Sequence, residues 1–207
     1  MSKTSESEAG FITPSSLFEK TSQWFDRAHA SLLGSLPCGL GCSHCCIGLF
    51  PVTILDRQEI QRGLQRLADD HKQEINQKAL EQVALLTAAA PQLASTCFID
   101  QWPDKEIDRV IKQFEAVPCP ALRQDGSCGV YEFRPLVCRS MGIPPDDGMH
   151  VTGACGVQTA VPLIRLSKTL WDEENRLAGE EASQLEALRR QQSSEGEELF
   201  LPYAFLE

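Results

Sequence analysis

The chain has 207 residues, 42% hydrophobic and 23% charged, enough for one domain with a real core and ordinary for a soluble globular protein. Asp and Glu number 29 against 19 Lys and Arg, a net charge of -10, which argues against a nucleic-acid partner built on dense basic residues. No apolar run approaches the roughly 20 residues of a membrane span, and the polar start Met1 to Gly10 lacks the pattern of a secretory signal, so no membrane partner and a cytoplasmic location are expected.

Residues 1–12, rich in Ser and Glu, read as a disordered N-terminal tail, and 13–207 as a single metal-binding domain. The first predicted helix runs from Ser15 or Ser16 to about Leu33, with Leu17, Phe18, Trp24, Phe25, Ala28 and Leu32 near helical spacing. A loop containing Gly39, Gly41 and Gly48 follows. A helix starting near Thr53 or Asp56 carries Ile60, Leu64 and Leu67 on one face. Another from about Asp70 carries Ile75, Ala79, Val83 and Leu86 and is limited by Pro91; the two form either a hairpin or one long bent helix. Asp104 is suited to cap a shorter helix that presents Ile107, Val110, Ile111 and Phe114 to the core.

From Val117 to Gly156 the pattern turns to Pro, Gly and Cys, with Asp125-Gly126 as a tight turn. A long helical stretch resumes near Val161, with Leu163, Leu166, Leu170 and Leu177, then Leu185 and Leu188 beyond Gly179. Its heptads break at Glu173 or Glu174, which favours core packing over a coiled coil. The apolar segment Leu199 to Leu206 is expected to dock on the core. Strand signals are sparse, so the fold class is mostly α: helices packed around a cysteine-rich irregular centre, with little β.

The cysteines carry the chemistry. Eight of the nine fall into two groups, Cys38, Cys42, Cys45 and Cys46, then Cys119, Cys128, Cys138 and Cys155. Thiolates recurring every few residues are turned onto one centre by a tight loop, and a second group far along the chain closes the shell when the chain folds back. Many thiols in a reducing compartment favour metal binding over a disulfide framework.

Zinc and iron-sulfur clusters both accept tetrahedral thiolates, so residue type alone does not choose between them. The staggered first group and the absence of a short knuckle in the second suit a polynuclear centre better than one structural zinc. Neighbouring side chains diverge, so Cys45 and Cys46 are expected to serve different atoms. Arg134 and Arg139, flanking Cys138, are expected to offset the thiolate charge. For His44 a role beside the ligands is favoured over ligation. His29, His71 and His150 have no assigned role, and Cys97 is expected to be a buried apolar cysteine. The Cys38-x3-Cys42-x2-Cys45 spacing also occurs in radical S-adenosylmethionine enzymes, but the downstream helical periodicity lacks their alternating strands.

Residues Cys38-Gly-Leu-Gly-Cys42-Ser-His-Cys45-Cys46, Cys119-Pro-Ala-Leu, Gly126-Ser-Cys128 and Tyr131-Glu-Phe-Arg134-Pro135-Leu-Val-Cys138-Arg139 together resemble the CxxCxxCC family of zinc- or iron-chelating cysteine-cluster proteins. The resemblance covers about residues 38–142. That family includes flagellin lysine N-methylases, which look like iron-sulfur enzymes. This chain has no Gly-rich strand-to-helix turn followed by an acidic residue to hold S-adenosylmethionine, so methylase activity is not carried over from the resemblance alone. The family pattern often places an aromatic residue shortly after Cys138-Arg139, where this chain has Ser140-Met141.

The expected function is therefore a metal-binding protein holding an iron-sulfur cluster, 4Fe-4S, through both cysteine groups, in redox or protein-modifying work with a protein or redox partner. Two alternatives stand beside it: a structural zinc protein acting as an interaction module, and a lysine N-methylase-like enzyme. Enzyme status is open.

Overall fold

The computed structural model describes residues 16–32, 42–144, 146, 149–151, 165–192 and 194–207. Cys38, Cys155, Leu163 and the proposed tail 1–12 lie outside the described residues. Helices dominate: α1 Leu17–Ser31, α2 Ile54–Leu64, α3 Asp69–Ala89, α4 Asp104–Gln113, α5 Leu136–Ser140, α6 Lys168–Gln192 and α7 Leu201–Ala204. The described strands are β1 Pro51–Thr53 and β2 Glu198–Phe200, paired antiparallel with Val52 opposite Leu199. The mostly α reading holds.

The starts of α1 and α2 have a local cause in their capping side chains. Ser16 caps α1, its hydroxyl accepting from the Glu19 amide at 3.2 Å. Leu17, Thr21, Trp24 and Ala28 then form its buried stripe. Phe18 and Phe25 leave that stripe half-buried: Phe18 lies under the Arg139 guanidinium and Phe25 tilts against His29. Thr53 and Asp56 form a reciprocal capping box at the head of α2. A turn separates α2 from α3, so the two are distinct helices, and Leu67 packs from that turn rather than from α2. Asp104 does not cap α4. Pro103 occupies that position without a side-chain bond, and Asp104 instead puts its negative charge in the first turn. The described α6 begins at Lys168, with Leu166 buried just ahead of it.

Among the described residues, three apolar clusters hold these elements. The largest joins Val52 of β1, Ile60 and Leu64 of α2, Ile75 and Ala79 of α3, and Leu199, Ala204 and Phe205 of the closing segment. A second packs Leu86 of α3, Val110 of α4 and Phe200. A third packs Trp24 and Ala28 of α1 against Leu170 and Leu177 of α6. The segment Leu199 to Leu206 thus docks on the core as its composition requires, with Leu199 and Phe200 fully buried. Leu185 and Leu188 pack beside the first cluster and Leu170 and Leu177 beside the third, which accounts for the leucines of α6 as core contacts. Among the described residues no helix is long and apolar enough to cross a membrane.

Candidate metal centre

The two cysteine groups meet through main chain. Cys45 and Cys46 lie on a 3-10 turn, His44–Cys46. Just after it, Ile47 bridges antiparallel to Pro118. The Cys119 amide donates to the Cys46 carbonyl at 2.7 Å, and the Gly48 amide to the Val117 carbonyl at 2.8 Å. Gly48 takes φ +109°, a left-handed value that favours glycine, and it turns the chain from this ladder into β1.

Cys119 and Cys128 flank a small hairpin. Leu122 bridges Cys128, and Gly129 donates to the Ala121 carbonyl at 2.7 Å. At the tip, Asp125 accepts from the Ser127 amide at 2.9 Å and its hydroxyl at 2.6 Å, while Gly126 takes φ +82°. The Asp125-Gly126 turn is therefore formed as its residues dictate. α3 supports this hairpin from below, with Gln82 donating to the Pro118 carbonyl at 2.8 Å.

Cys138 arrives on α5, and α2 fixes α5 in place. Asp56 uses one carboxylate oxygen for the Thr53 amide at 3.1 Å and the other for the Leu136 amide at 2.8 Å. Arg139 is buried among the Glu132 and Arg134 carbonyls and the Ser22 hydroxyl, and pairs with buried Glu59 at 3.6 Å. Arg62 closes the same Glu59 carboxylate at 2.8 Å. Such fully bonded buried charges orient a segment at high cost if one partner is lost.

The expectation for Arg139 is thus corrected: it is a strut between α5, α1 and α2, turned toward Glu59 because burial demands a partner. Arg134 does act on the thiols, with Cys45 and Cys128 both feeling its charge. Arg123, which sequence reasoning passed over, acts on Cys128 as well. Its place at the base of the Asp125-Gly126 turn was the available signal.

The thiols form one electrostatic cluster. Burial pushes Cys119 up to about 12, and Cys128 adds to the rise. Cys138 is raised well above its ordinary value by burial and then by Cys119, Cys45 and Cys128. Cys128 is raised chiefly by burial, against the pull of the Val130 amide and of Arg134 and Arg123. Cys45 is drawn down to about 6, first by the hydrogen bond from the Cys46 thiol. The same bond pushes Cys46 up. The two thiols therefore titrate as a pair.

Five of the eight cysteines singled out in the sequence are therefore brought together: Cys45, Cys46, Cys119, Cys128 and Cys138. Cys42 is half-buried at the entrance to the 3-10 turn. His44 is exposed, and no hydrogen bond joins it to the thiols among the described residues. Cys97 is half-buried rather than buried, near Arg57 and Glu195 and away from both groups. Cys97 sits at a bend between Thr96 and Phe98, a local geometry that an apolar setting in the sequence does not reveal.

Among the described residues, no three His, Cys, Asp or Glu side chains are arranged as the ligands of an ion. The donor set nevertheless fits a thiophilic centre in its chemistry, since thiols of both groups act on one another electrostatically and the charges of Arg134 and Arg123 act on them. No curated protein and no solved structure matches the chain. The family model described as CxxCxxCC, putative zinc- or iron-chelating domain, matches residues 37–156. That span takes in all eight clustered cysteines and more than half of the sequence. With described cysteines of both groups tied through main chain inside the matched region, the chain belongs to the CxxCxxCC family of metal-chelating domains.

Proposed function

We propose that the chain holds an iron-sulfur cluster, of the 4Fe-4S type, and uses it for one-electron redox chemistry. The observation that carries this reading is the make-up of the thiol set, a staggered first group and a second group without the short knuckle of a structural zinc. Five described sulfurs from both groups act on one another electrostatically, which leaves enough thiolates for the four ligands of a cluster. Cys45, Cys119, Cys128 and Cys138 are the residues assigned to ligation, with Cys38, Cys42, Cys46 and Cys155 as the remaining members of the sequence groups. The cluster would supply an electron-accepting centre. The protein's own part is to gather the thiolates, offset their charge through Arg134 and Arg123, and shield them behind the α2–α5 strut.

Iron, zinc and acid-labile sulfide analysis with a visible spectrum, on protein purified without oxygen, tests the reading. Iron with matching sulfide and a brown chromophore that bleaches on reduction is the expected result. Stoichiometric zinc without sulfide, in a colourless protein, would overturn it and assign the centre to structure.

A further inference from the structure

A cleft of about 300 Å³ opens between α1, α5 and α6, on the β1 side of α2. That volume lies at the lower end of the range for small-molecule sites, roughly 300–1,000 Å³. Its walls are apolar, built from Leu17 and Trp24 of α1, Leu136 and Val137 of α5, and Leu177 of α6. Beside the hydroxyls of Thr21, Thr53 and Ser140, its charged groups are of one sign: Glu174 and Glu181 from α6, Glu198 from β2, and Asp56 at the head of α2. Among the described residues that line it, none is Lys, Arg or His.

Neighbouring helix faces show that the chain pairs its acids where it can. On α6, Glu180 binds Lys20 at 2.8 Å, Glu173 binds Arg27 and Glu186 binds Arg190. The three cleft glutamates have no such partner among the described residues, although Glu174 and Glu181 are half-buried. Their nearby charges repel them instead: Asp146 for Glu174, Asp56 for Glu181, Asp100 and Glu197 for Glu198. Asp56 differs, being bonded to the Thr53 and Leu136 amides and within the field of Arg139. An apolar slot edged by uncompensated carboxylates is complementary to a ligand that is apolar along its body and cationic at one end.

We propose that this cleft is a binding site for an aliphatic ammonium ion, its chain against Trp24, Leu136 and Leu177 and its charged group between Glu174, Glu181 and Glu198. Apolar contact supplies the gain from dehydrating the chain, and the carboxylates select against neutral and anionic molecules of the same shape. The site is separate from the thiol cluster but shares α5 with it, since Val137 and Ser140 line the cleft on either side of Cys138. Binding does not depend on which metal the thiols hold.

Isothermal calorimetry on the full chain as purified, with its metal, tests the assignment using hexylammonium, hexanol and hexanoate. Saturable binding of hexylammonium, at least about tenfold tighter than hexanol and with hexanoate silent, is expected. Glu181→Gln and Glu174→Gln should each weaken hexylammonium severalfold, while Glu186→Gln on the same helix leaves it unchanged. All variants are checked by thermal melting, so a folding defect is not read as lost binding. An acetyl-capped lysine amide as a fourth ligand separates the two sources of the same chemistry: binding extends the site to a protein side chain, and silence restricts it to free amines. Equal affinity for hexanol, binding of hexanoate, no heat from hexylammonium, or glutamine variants that bind like wild type would overturn the proposal.

Discussion

The Cys119 amide donates to the Cys46 carbonyl at 2.7 Å, so the two cysteine groups are tied by main chain independently of any ion. The ladder continues through the Ile47–Pro118 bridge and the Gly48 amide. A site whose loops are already paired loses less freedom when metal binds.

Gly48 is the point at which this ladder is most easily broken. Its φ is +109°, and an added Cβ would stand 3.3 Å from the Glu115 carbonyl oxygen. Gly48→Ala should lower stability by about 1–2 kcal/mol and weaken metal uptake against a competing chelator. The helices, whose cores lie elsewhere, should keep their far-UV circular dichroism. Thermal melts and chelator competition measure both; an unchanged melt with unchanged uptake would mean that the ladder does not organise the centre.

Ligand variants should separate the two groups from the odd cysteine. Cys128→Ser and Cys138→Ser should each lose most bound metal and also melt earlier, because metal-binding free energy contributes to folding. Cys97→Ser should retain full metal content, as its sulfur lies near Arg57 and Glu195 instead. Metal analysis of the three proteins side by side decides this, and wild-type loading in Cys128→Ser would remove that residue from the shell.

A tight contact holds the segment that leads to Cys138. A Cβ on Gly63 would fall 2.6 Å from Cβ of Phe133, whose ring is overlaid by the guanidiniums of Arg62 at 5.4 Å and Arg66 at 5.1 Å. Gly63→Ala must push the 3-10 turn Tyr131–Phe133 off α2. Overpacking of this kind costs about 1–3 kcal/mol, readable in chemical denaturation. A variant as stable as wild type would show that the turn can move without loss.

Asp56 links the capping box of α2 to α5, and burial raises its carboxyl pKa above the ordinary carboxylate value despite three hydrogen bonds and the field of Arg139. Asp56→Ala leaves the Thr53 and Leu136 amides unmet and should cost about 1–3 kcal/mol. The pH dependence has a definite sign. Because the folded-state pKa is raised, the wild type gains stability as pH falls through that value toward the unfolded carboxylate pKa, and loses it as pH rises. The gap between wild type and variant should therefore widen on mild acidification from neutral pH. Paired melts across that range check it, and a gap that narrows would show that ionised Asp56 is the favoured form in the fold.

Local rules made several features legible in advance. Helical spacing at Leu17, Trp24 and Ala28, a helix start near Thr53 or Asp56, the Asp125-Gly126 turn and the apolar ending from Leu199 all act over a few residues, and each is formed as expected. The cysteine spacing likewise pointed to a metal-chelating domain and to its family. The roles of the two arginines beside Cys138 were not legible. Residues 134 and 139 are equally basic and equally close in sequence, but burial of α5 against α2 sends Arg139 to Glu59 and leaves Arg134 beside Cys45 and Cys128. The same holds for Gly63, whose need for no side chain arises only where Phe133 lands on it, and for the cleft glutamates of α6, which read as ordinary solvated helix positions until α1 and α5 enclose them. Sequence determined the helices and the grouping of the thiols because those depend on neighbours along the chain. Tertiary structure alone decided which charges are paired, which thiols share one field and which carboxylates face an apolar cleft, because burial and Coulomb interaction depend on distances through space.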